Sequence, residues 1–208
     1  MVVTNRVRRA SFVTCVNDDD VYRNDVLKTT EGYADRIEYI RVDNPVSAPV
    51  GLNEGIRKAS ENIVVCCHQD IYFLNNWLDK MFEQLDTIPK WGVCGLAGAK
   101  DDGSPIGCHS GLGMEHHPIR VQTLDCSLII VDKRNVLRFD ENLEFFHMYG
   151  EDIALQANDV GLGAYVIYAP IIHHSKWAHP QGFRECVEYI QRKWRGKVAV
   201  IHTTVGTY

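Results

Sequence analysis

Roughly the first hundred residues alternate between short apolar runs and amphipathic segments, and this alternation limits the folds that the chain can adopt. Apolar runs typical of buried strands lie at 11–16, 36–42, 63–67 and 92–97. Helical patterns separate them, at about 17–27, 51–60 and 74–85. Strands that alternate with helices form a parallel sheet through right-handed crossovers. The sequence therefore predicts an α/β fold with a mainly parallel central sheet flanked by helices.

The second half of the chain is less regular. Strand patterns lie at 127–131, 165–169 and 198–202, and helices are predicted from about Glu151 and over 183–194. Between the halves, residues 98–118 are rich in Gly, His and Asp and predict a long loop. Such a loop is either a functional cover, with His109, His116 and His117 facing a ligand, or a mobile surface segment. No repeat or linker interrupts the chain, so a single domain over 1–208 is predicted.

Composition excludes several classes of protein. The net charge of −5 argues against a nucleic-acid binder, which usually has a basic surface. No apolar stretch is long enough to span a membrane. The sequence has seven cysteines, an odd number, and no C-x-x-C pair. This pattern is typical of free thiols in a reducing compartment. We therefore predict a cytoplasmic protein without a membrane span.

A polar tripeptide follows the third predicted strand: His68, Gln69 and Asp70 come directly after the apolar run 63–67. The carboxyl end of a strand in an open α/β sheet is where ligands bind. A carboxylate and an imidazole there could hold a divalent metal. The alternative is a polar strand end that faces water.

Three further polar groups lie at predicted element ends. Asp43 follows the second strand, where it either accepts from a ligand hydroxyl or forms the turn before a proline. Glu151 and Asp152 open a helix, where acids either complement the helix dipole or act as a general base in a cleft. His173 and His174 follow a late strand and are either structural or metal ligands.

The order of these groups resembles one enzyme family. The chain is similar to glycosyltransferases of the GT-A (Rossmann-like) fold, in particular to family-2-like enzymes of polysaccharide and capsule-type glycan synthesis. The resemblance spans about 11–175, and no single motif in it is specific. Its motifs are Asn17-Asp18, Asp43, Asn53-Glu54-Gly55-Ile56, His68-Gln69-Asp70, Trp77-Leu78, Phe139-Asp140-Glu141, Glu151-Asp152, and His173 or His174.

The resemblance implies a metal-dependent hexosyltransferase-type enzyme (EC 2.4), which moves a sugar from a nucleotide donor, a UDP-sugar, to a hydroxyl of a glycan or glycoconjugate. Residues of about 11–100 would bind the nucleotide, and about 101–208 would bind the acceptor. The implied donor-binding residues are Thr14, Asn17, Asp43, Asn53, His68 and Gln69. Asp70 would hold Mn²⁺ or Mg²⁺ together with His173 or His174. Asp152 would be the catalytic carboxylate, with Glu151 and Asp125 as the other candidates.

The chain departs from the family pattern at His68, which occupies the position of the first aspartate in the usual D-x-D metal motif. A catalytically inactive sugar- or nucleotide-binding module on the same fold therefore remains an alternative. A nucleotidyltransferase is another, although the acidic run 17–20 is unlike its basic phosphate loop. Inverting and retaining mechanisms are both compatible with the sequence.

Overall fold

The computed structural model describes residues 7–107, 116–174 and 181–208. Its strands are β1 (Ala10–Val16), β2 (Ile37–Asp43), β3 (Ile63–Cys67), β4 (Ile71–Phe73), β5 (Val93–Gly95), β6 (Ala97–Ala99), β7 (Pro105–Gly107), β8 (Ile119–Val121), β9 (Thr123–Leu124), β10 (Leu128–Asp132), β11 (Ala164–Val166) and β12 (Ile171–His173). Its helices are α1 (Asp19–Tyr22), α2 (Lys28–Thr30), α3 (Ala48–Lys58), α4 (Trp77–Asp86), α5 (Tyr149–Asp159) and α6 (Phe183–Lys193). A π-helical turn (Arg23–Leu27) joins α1 to α2, and a 3-10 turn (Glu31–Tyr33) follows α2.

A seven-stranded sheet with the order β2-β1-β3-β10-β5-β11-β8 runs through the centre of the molecule. Strands β2, β1, β3, β5 and β11 point one way, and β10 and β8 point the other way. The predicted mainly parallel sheet is therefore confirmed, with one difference. Strand β10 lies between β3 and β5, so the third and fourth strands of the sequence pattern are not neighbours. Its residues are buried on both faces, as a central position requires.

Two apolar layers cover the sheet, one on each face. Alternate residues of a strand point to opposite faces, and in β1 Val13 belongs to one layer while Phe12 belongs to the other. The first layer packs the sheet against α3, α5 and α6. The second layer packs it against α1 and α4, where Trp77, Leu78 and Met81 are fully buried. This explains the 3.6-residue apolar spacing of the helix predicted over about 74–85, which the structure confirms as α4.

Helix α3 approaches β1 closely because two of its residues have no side chain. A Cβ on Gly55 would lie 2.1 Å from Cγ1 of Val13, and a Cβ on Gly51 would lie 2.7 Å from Sγ of Cys15. The N-terminus of α1 is capped by Asp18, whose Oδ1 accepts from the backbone N–H of Val21 at 3.1 Å. This cap starts α1 directly after the carboxyl end of β1.

Two sequence predictions need correction. Residues 98–118 are not one long loop, because β6 and β7 form an antiparallel pair there, with Gly98 opposite Ile106. His109 lies outside the described residues. The predicted strand at 198–202 is not formed. This segment turns back on itself instead, and Ile201 and Tyr208 exchange backbone hydrogen bonds. Within the described residues, no helix combines the length and apolarity needed to cross a bilayer.

Candidate functional site

Two segments far apart in the sequence meet at the carboxyl end of β3. His68 and Asp70 lie in the turn between β3 and β4. Strand β12 pairs antiparallel with β4 and places His173 opposite Ile71. Trp77 holds the segment that leads into β12, because its indole N–H donates to the carbonyl of Ala169 at 2.9 Å. The pairing of β4 with β12 therefore brings an imidazole beside the carboxylate of Asp70.

His68, Asp70 and His173 form a compact cluster, which we call the HDH cluster. Their ligand atoms all lie within 4.8 Å of one another. His173 Nε2 is 3.2 Å from Asp70 Oδ1 and 3.3 Å from His68 Nδ1. His68 Nδ1 is 3.9 Å from Asp70 Oδ1. Two imidazole nitrogens and one carboxylate oxygen therefore converge on a common point.

The electrostatics of the HDH cluster suit a cation. Burial and the neighbouring His173 lower the pKa of His68 to about 4, so His68 is neutral at pH 7 and one ring nitrogen has a free lone pair. Burial opposes ionisation of Asp70, but the nearby imidazoles outweigh it and lower the pKa of this carboxyl group. Asp70 Oδ1 is buried and accepts no well-formed hydrogen bond from the described residues. Such an atom lacks a partner that a bound cation could supply.

A tyrosine contacts the cluster from the opposite side. The hydroxyl of Tyr149, the first residue of α5, lies 2.8 Å from His68 Nε2. The same hydroxyl donates to the carbonyl of Cys126 at 2.7 Å. No sequence pattern assigns a role to Tyr149; its position directly before Gly150 and Glu151 is the signal that could have drawn attention to it.

The other predicted histidines lie elsewhere. His174 Nδ1 is 3.0 Å from Asp25 Oδ2, in the π-helical turn, so its side chain points away from the HDH cluster. His116 packs on the ring of Tyr168, with 4.3 Å between the ring centroids. Of the two consecutive candidates, the structure thus brings His173 and not His174 to Asp70.

Gln69, the middle residue of the tripeptide, is hydrogen-bonded to the turn that follows β1. Its Oε1 accepts from the backbone N–H groups of Asn17 and Asp18, at 2.9 and 3.0 Å. Its Nε2 donates to Asn17 Oδ1 at 2.5 Å. The structure therefore brings Asn17 and Gln69 together, and the Gln69 amide is occupied in holding the loop.

Three predicted donor-binding residues have different surroundings. Asp43 is exposed at the end of β2 (59% of its side chain) and pairs with Arg41, which also binds Asp19. Thr14 is buried, and its hydroxyl lies 3.3 Å from Cys67 Sγ. Asn53 is buried in α3, and its amide bonds both the N–H and the C=O of Phe139. Asp43 is thus accessible at the sheet edge, whereas the side chains of Thr14 and Asn53 support the fold.

Asp152 points toward α6 and the residue that follows it. Its side chain is 1% exposed and forms an ion pair with Lys193 of α6. Trp194 Nε1 and Gln156 Nε2 donate to its two oxygens at 2.8 and 2.7 Å. The catalytic role expected for Asp152 is not supported by this position, because both of its oxygens already have partners within the fold.

Glu151 points to the other side of α5, toward the turn between β9 and β10. Its Oε2 lies 3.3 Å from Cys126 Sγ. Burial and the negative charge of nearby Asp125 raise the pKa of Glu151 to about 8. Asp125 Oδ1 accepts from the N–H of Ser127 at 2.8 Å, which fixes this carboxylate in the same turn.

The approach of α5 to this turn depends on Gly150. A Cβ at this position would lie 2.8 Å from the carbonyl oxygens of Leu124 and Asp125. The residue with left-handed backbone at the start of α5 is Met148, with φ 62°. Gly150 instead provides space, and this space brings Glu151 close to Asp125.

Comparison with known proteins gives one family match and one sequence relative. A sequence profile described as "Glycosyltransferase like family" matches residues 11–105, which include His68 and Asp70 but not His173 or Glu151. A protein of Fuscovulum blasticum described as "ATP synthase subunits region ORF 6" is 25% identical over 150 residues, covering 64% of this chain and 59% of that protein.

The fold is also similar to solved structures. The crystal structure of GalNAc-T7 with UDP, GalNAc and Mn²⁺ has a TM-score of 0.68 at 9% identity, over 93% of this chain and 49% of that one. That of S. aureus TarS 1–349 in complex with UDP has a TM-score of 0.54 at 13% identity, over 91% of this chain and 67% of that one. The chain spans about half the length of the first of these, and 59% of the Fuscovulum blasticum protein. The fold is the GT-A fold, and the resemblance to family-2-like GT-A glycosyltransferases is confirmed.

Proposed function

We propose that this chain, with its GT-A fold, is a metal-dependent glycosyltransferase of the hexosyltransferase type (EC 2.4). It transfers a sugar from a nucleotide donor, a UDP-sugar, to a hydroxyl of a glycan or glycoconjugate acceptor. The observation that carries the proposal is the convergence of His68, Asp70 and His173 at the carboxyl end of β3. The support from relatives is that similar folds bind UDP, one of them together with Mn²⁺.

The HDH cluster fits a divalent metal. The buried Oδ1 of Asp70, which has no well-formed hydrogen bond from the described residues, needs a partner. Because imidazole nitrogens favour transition-type metals and Mg²⁺ favours oxygen ligands, the donor set supports Mn²⁺ over Mg²⁺. When bound, such a metal neutralises the negative charge that develops on the departing diphosphate.

The nucleotide is proposed to lie across the ends of β1 and β2. The turn at Asn17 and Asp18 is fixed there by Gln69, so no loop ordering is required when a ligand binds. Asp43 lies at the adjacent strand end, exposed and held by Arg41. Its carboxylate is available to accept from a base imide or a ribose hydroxyl.

On the acceptor side, we propose that Glu151 takes the role that the sequence suggested for Asp152. Glu151 lies beside Asp125 and has a raised pKa, which makes it a stronger base than an ordinary carboxylate. Once ionised, it would take the proton of the acceptor hydroxyl as that oxygen attacks the anomeric carbon. Attack of this kind inverts the anomeric configuration, so the anomer of the product tests the assignment.

The test is a thermal-shift and calorimetric screen of nucleotide sugars with and without Mn²⁺, followed by measurement of UDP release with the ligands that bind. A ligand that binds only the folded protein raises its melting temperature. We expect binding of a UDP-sugar that requires Mn²⁺ and turnover of that sugar. Asp70→Asn should remove both, while Asp86→Asn, in an exposed pair with Arg8, is the matched control.

Two results would contradict the proposal. Metal-dependent binding without any hydrolysis or transfer would favour an inactive binding module, the alternative raised by His68 in the first position of the metal motif. Absence of binding to every nucleotide sugar would remove the donor assignment.

A further inference from the structure

We infer that Tyr149 is a positioning residue that fixes the tautomer of His68 and so directs the lone pair of its Nδ1 into the HDH cluster. The inference deepens the proposed function, because it concerns the metal site on which that function depends. It assigns to the first residue of α5 a part in metal binding, although Tyr149 itself is not a ligand.

The first step is the direction of the hydrogen bond between Tyr149 and Cys126. A backbone carbonyl oxygen can only accept, so the hydroxyl of Tyr149 donates its single proton to the carbonyl of Cys126, at 2.7 Å. The hydroxyl therefore has only lone pairs to offer to any other neighbour.

The second step is the contact between Tyr149 and His68. The distance from Tyr149 Oη to His68 Nε2 is 2.8 Å, within the range of a hydrogen bond. Since the hydroxyl must accept here, Nε2 of His68 is the donor and holds the proton. In a neutral imidazole the other nitrogen then has none.

The third step is where that other nitrogen points. Nδ1 of His68 lies 3.3 Å from His173 Nε2 and 3.9 Å from Asp70 Oδ1, on the inner side of the cluster. A metal ligand needs an unprotonated nitrogen, and the hydrogen bond on the opposite ring nitrogen decides which one is available. The hydrogen bond that His68 Nε2 donates to Tyr149 therefore prepares His68 as a ligand before a metal binds.

Tyr149 is itself held in place. It is buried, and its ring packs edge-on against Phe139 with 5.6 Å between the centroids. Because Glu151 follows two residues later in the first turn of α5, the same helix end orients both a metal ligand and the proposed acceptor carboxylate. A shift of α5 would disturb both sites together.

The direct test is the tautomer of His68 in the metal-free parent protein, read from long-range ¹H–¹⁵N correlation spectra. We expect the Nε2–H form. The Nδ1–H form, or a mixture of the two, would overturn the inference. This measurement needs no variant, so it decides the question even if a Tyr149 variant does not fold.

The second test is metal affinity, measured by calorimetry with Mn²⁺ and by the absorption spectrum of added Co²⁺. Loss of a partner that orients a metal-binding histidine weakens binding by roughly 10- to 100-fold, and we expect Tyr149→Phe to fall in that range. Tyr39→Phe, which removes a hydroxyl bonded to Thr30, is the matched control and should bind as the parent does. Equal affinity of Tyr149→Phe and the parent would overturn the inference.

The two proposals can fail separately. If no UDP-sugar is turned over but metal binding depends on Tyr149, the proposed function fails and the inference stands. If turnover requires Mn²⁺ but Tyr149→Phe binds the metal normally, the inference fails and the function stands.

Discussion

Lys193 of α6 lies 2.8 Å from the carboxylate of Asp152 at the start of α5. The same ammonium group lies 2.6 Å from Asp140, in the segment before α5, so one cation of α6 binds both acids. Trp194 completes the contact by donating to Asp152. Asp152 of the Glu151-Asp152 motif therefore links α5 to α6.

The first prediction follows from this link. Asp152→Asn should destabilise the protein by about 1–3 kcal/mol, the usual cost of disturbing a buried hydrogen-bonded group. The measurement is the free energy of unfolding in urea. Asp159→Asn, which breaks the exposed pair with Lys197, is the control and should cost less than about 1 kcal/mol. A normal stability combined with a large loss of turnover would restore Asp152 as the catalytic carboxylate.

The second prediction separates the two consecutive histidines. His173→Ala should abolish Mn²⁺ binding measured by calorimetry, because it removes one of three converging ligand atoms. His174→Ala should bind Mn²⁺ as the parent does, since its side chain contacts Asp25 and not the HDH cluster. If His174→Ala loses the metal instead, the pairing of β12 with β4 is shifted by one residue.

The third prediction concerns the turn after β1. Gln69→Ala removes three hydrogen bonds to Asn17 and Asp18 and should weaken binding of UDP in the presence of Mn²⁺. We expect a loss of about 1–2 kcal/mol in binding free energy, because the turn must then be ordered by the ligand. Affinity for Mn²⁺ alone should not change. Gln69→Glu keeps the acceptor for both backbone N–H groups and should lose less.

The fourth prediction concerns the pH dependence of stability. The pKa of Glu151 is raised from 4.5 to about 8, so between these values the folded protein holds a proton that the unfolded chain releases. The contribution of Glu151 is therefore favourable at low pH and is lost as the pH rises toward 8. Glu151→Gln removes this dependence, so its free energy of unfolding relative to the parent should increase from pH 5 to pH 9. A difference that is constant over this range would contradict the shift.

The same pKa gives an expectation for catalysis. Glu151 must be ionised to act as a base, so kcat/KM of the parent should rise with pH through about 8. Glu151→Gln should reduce turnover by about 100-fold or more and leave donor affinity nearly unchanged. If Asp125→Asn gives this pattern and Glu151→Gln does not, the base lies in the turn between β9 and β10.

Much of the fold could be predicted because its signals are local. The apolar run of β3 and the 3.6-residue spacing of α4 each appear within a short window of sequence. The insertion of β10 between β3 and β5 could not be predicted, because an apolar run does not encode its direction or its neighbours. The prediction of a strand at 198–202 was wrong for the same reason, since an alternating pattern forms a strand only when a partner strand is available.

The sequence predicted which residue types form the candidate site. It could not predict which of two consecutive residues points into the site. Consecutive residues on a strand point to opposite faces, so the choice between His173 and His174 depends on the register of β12. Consecutive residues on a helix point about 100° apart, so the directions of Glu151 and Asp152 depend on how α5 packs on α6. Tyr149 was missed because its role depends on two hydrogen bonds to residues distant in sequence.

The antiparallel pairing of β4 with β12 also affects how the molecule is assembled. His68 and His173 are 105 positions apart, so an ion held by the HDH cluster would act as a reversible cross-link that closes a very long loop. Closing a long loop lowers the conformational entropy of the chain, and an ion that binds only the folded state raises the free energy of unfolding. A growing chain that has reached only β7 contains two of the three ligands and cannot yet close the loop. Ion capture would therefore mark the pairing of β4 with β12.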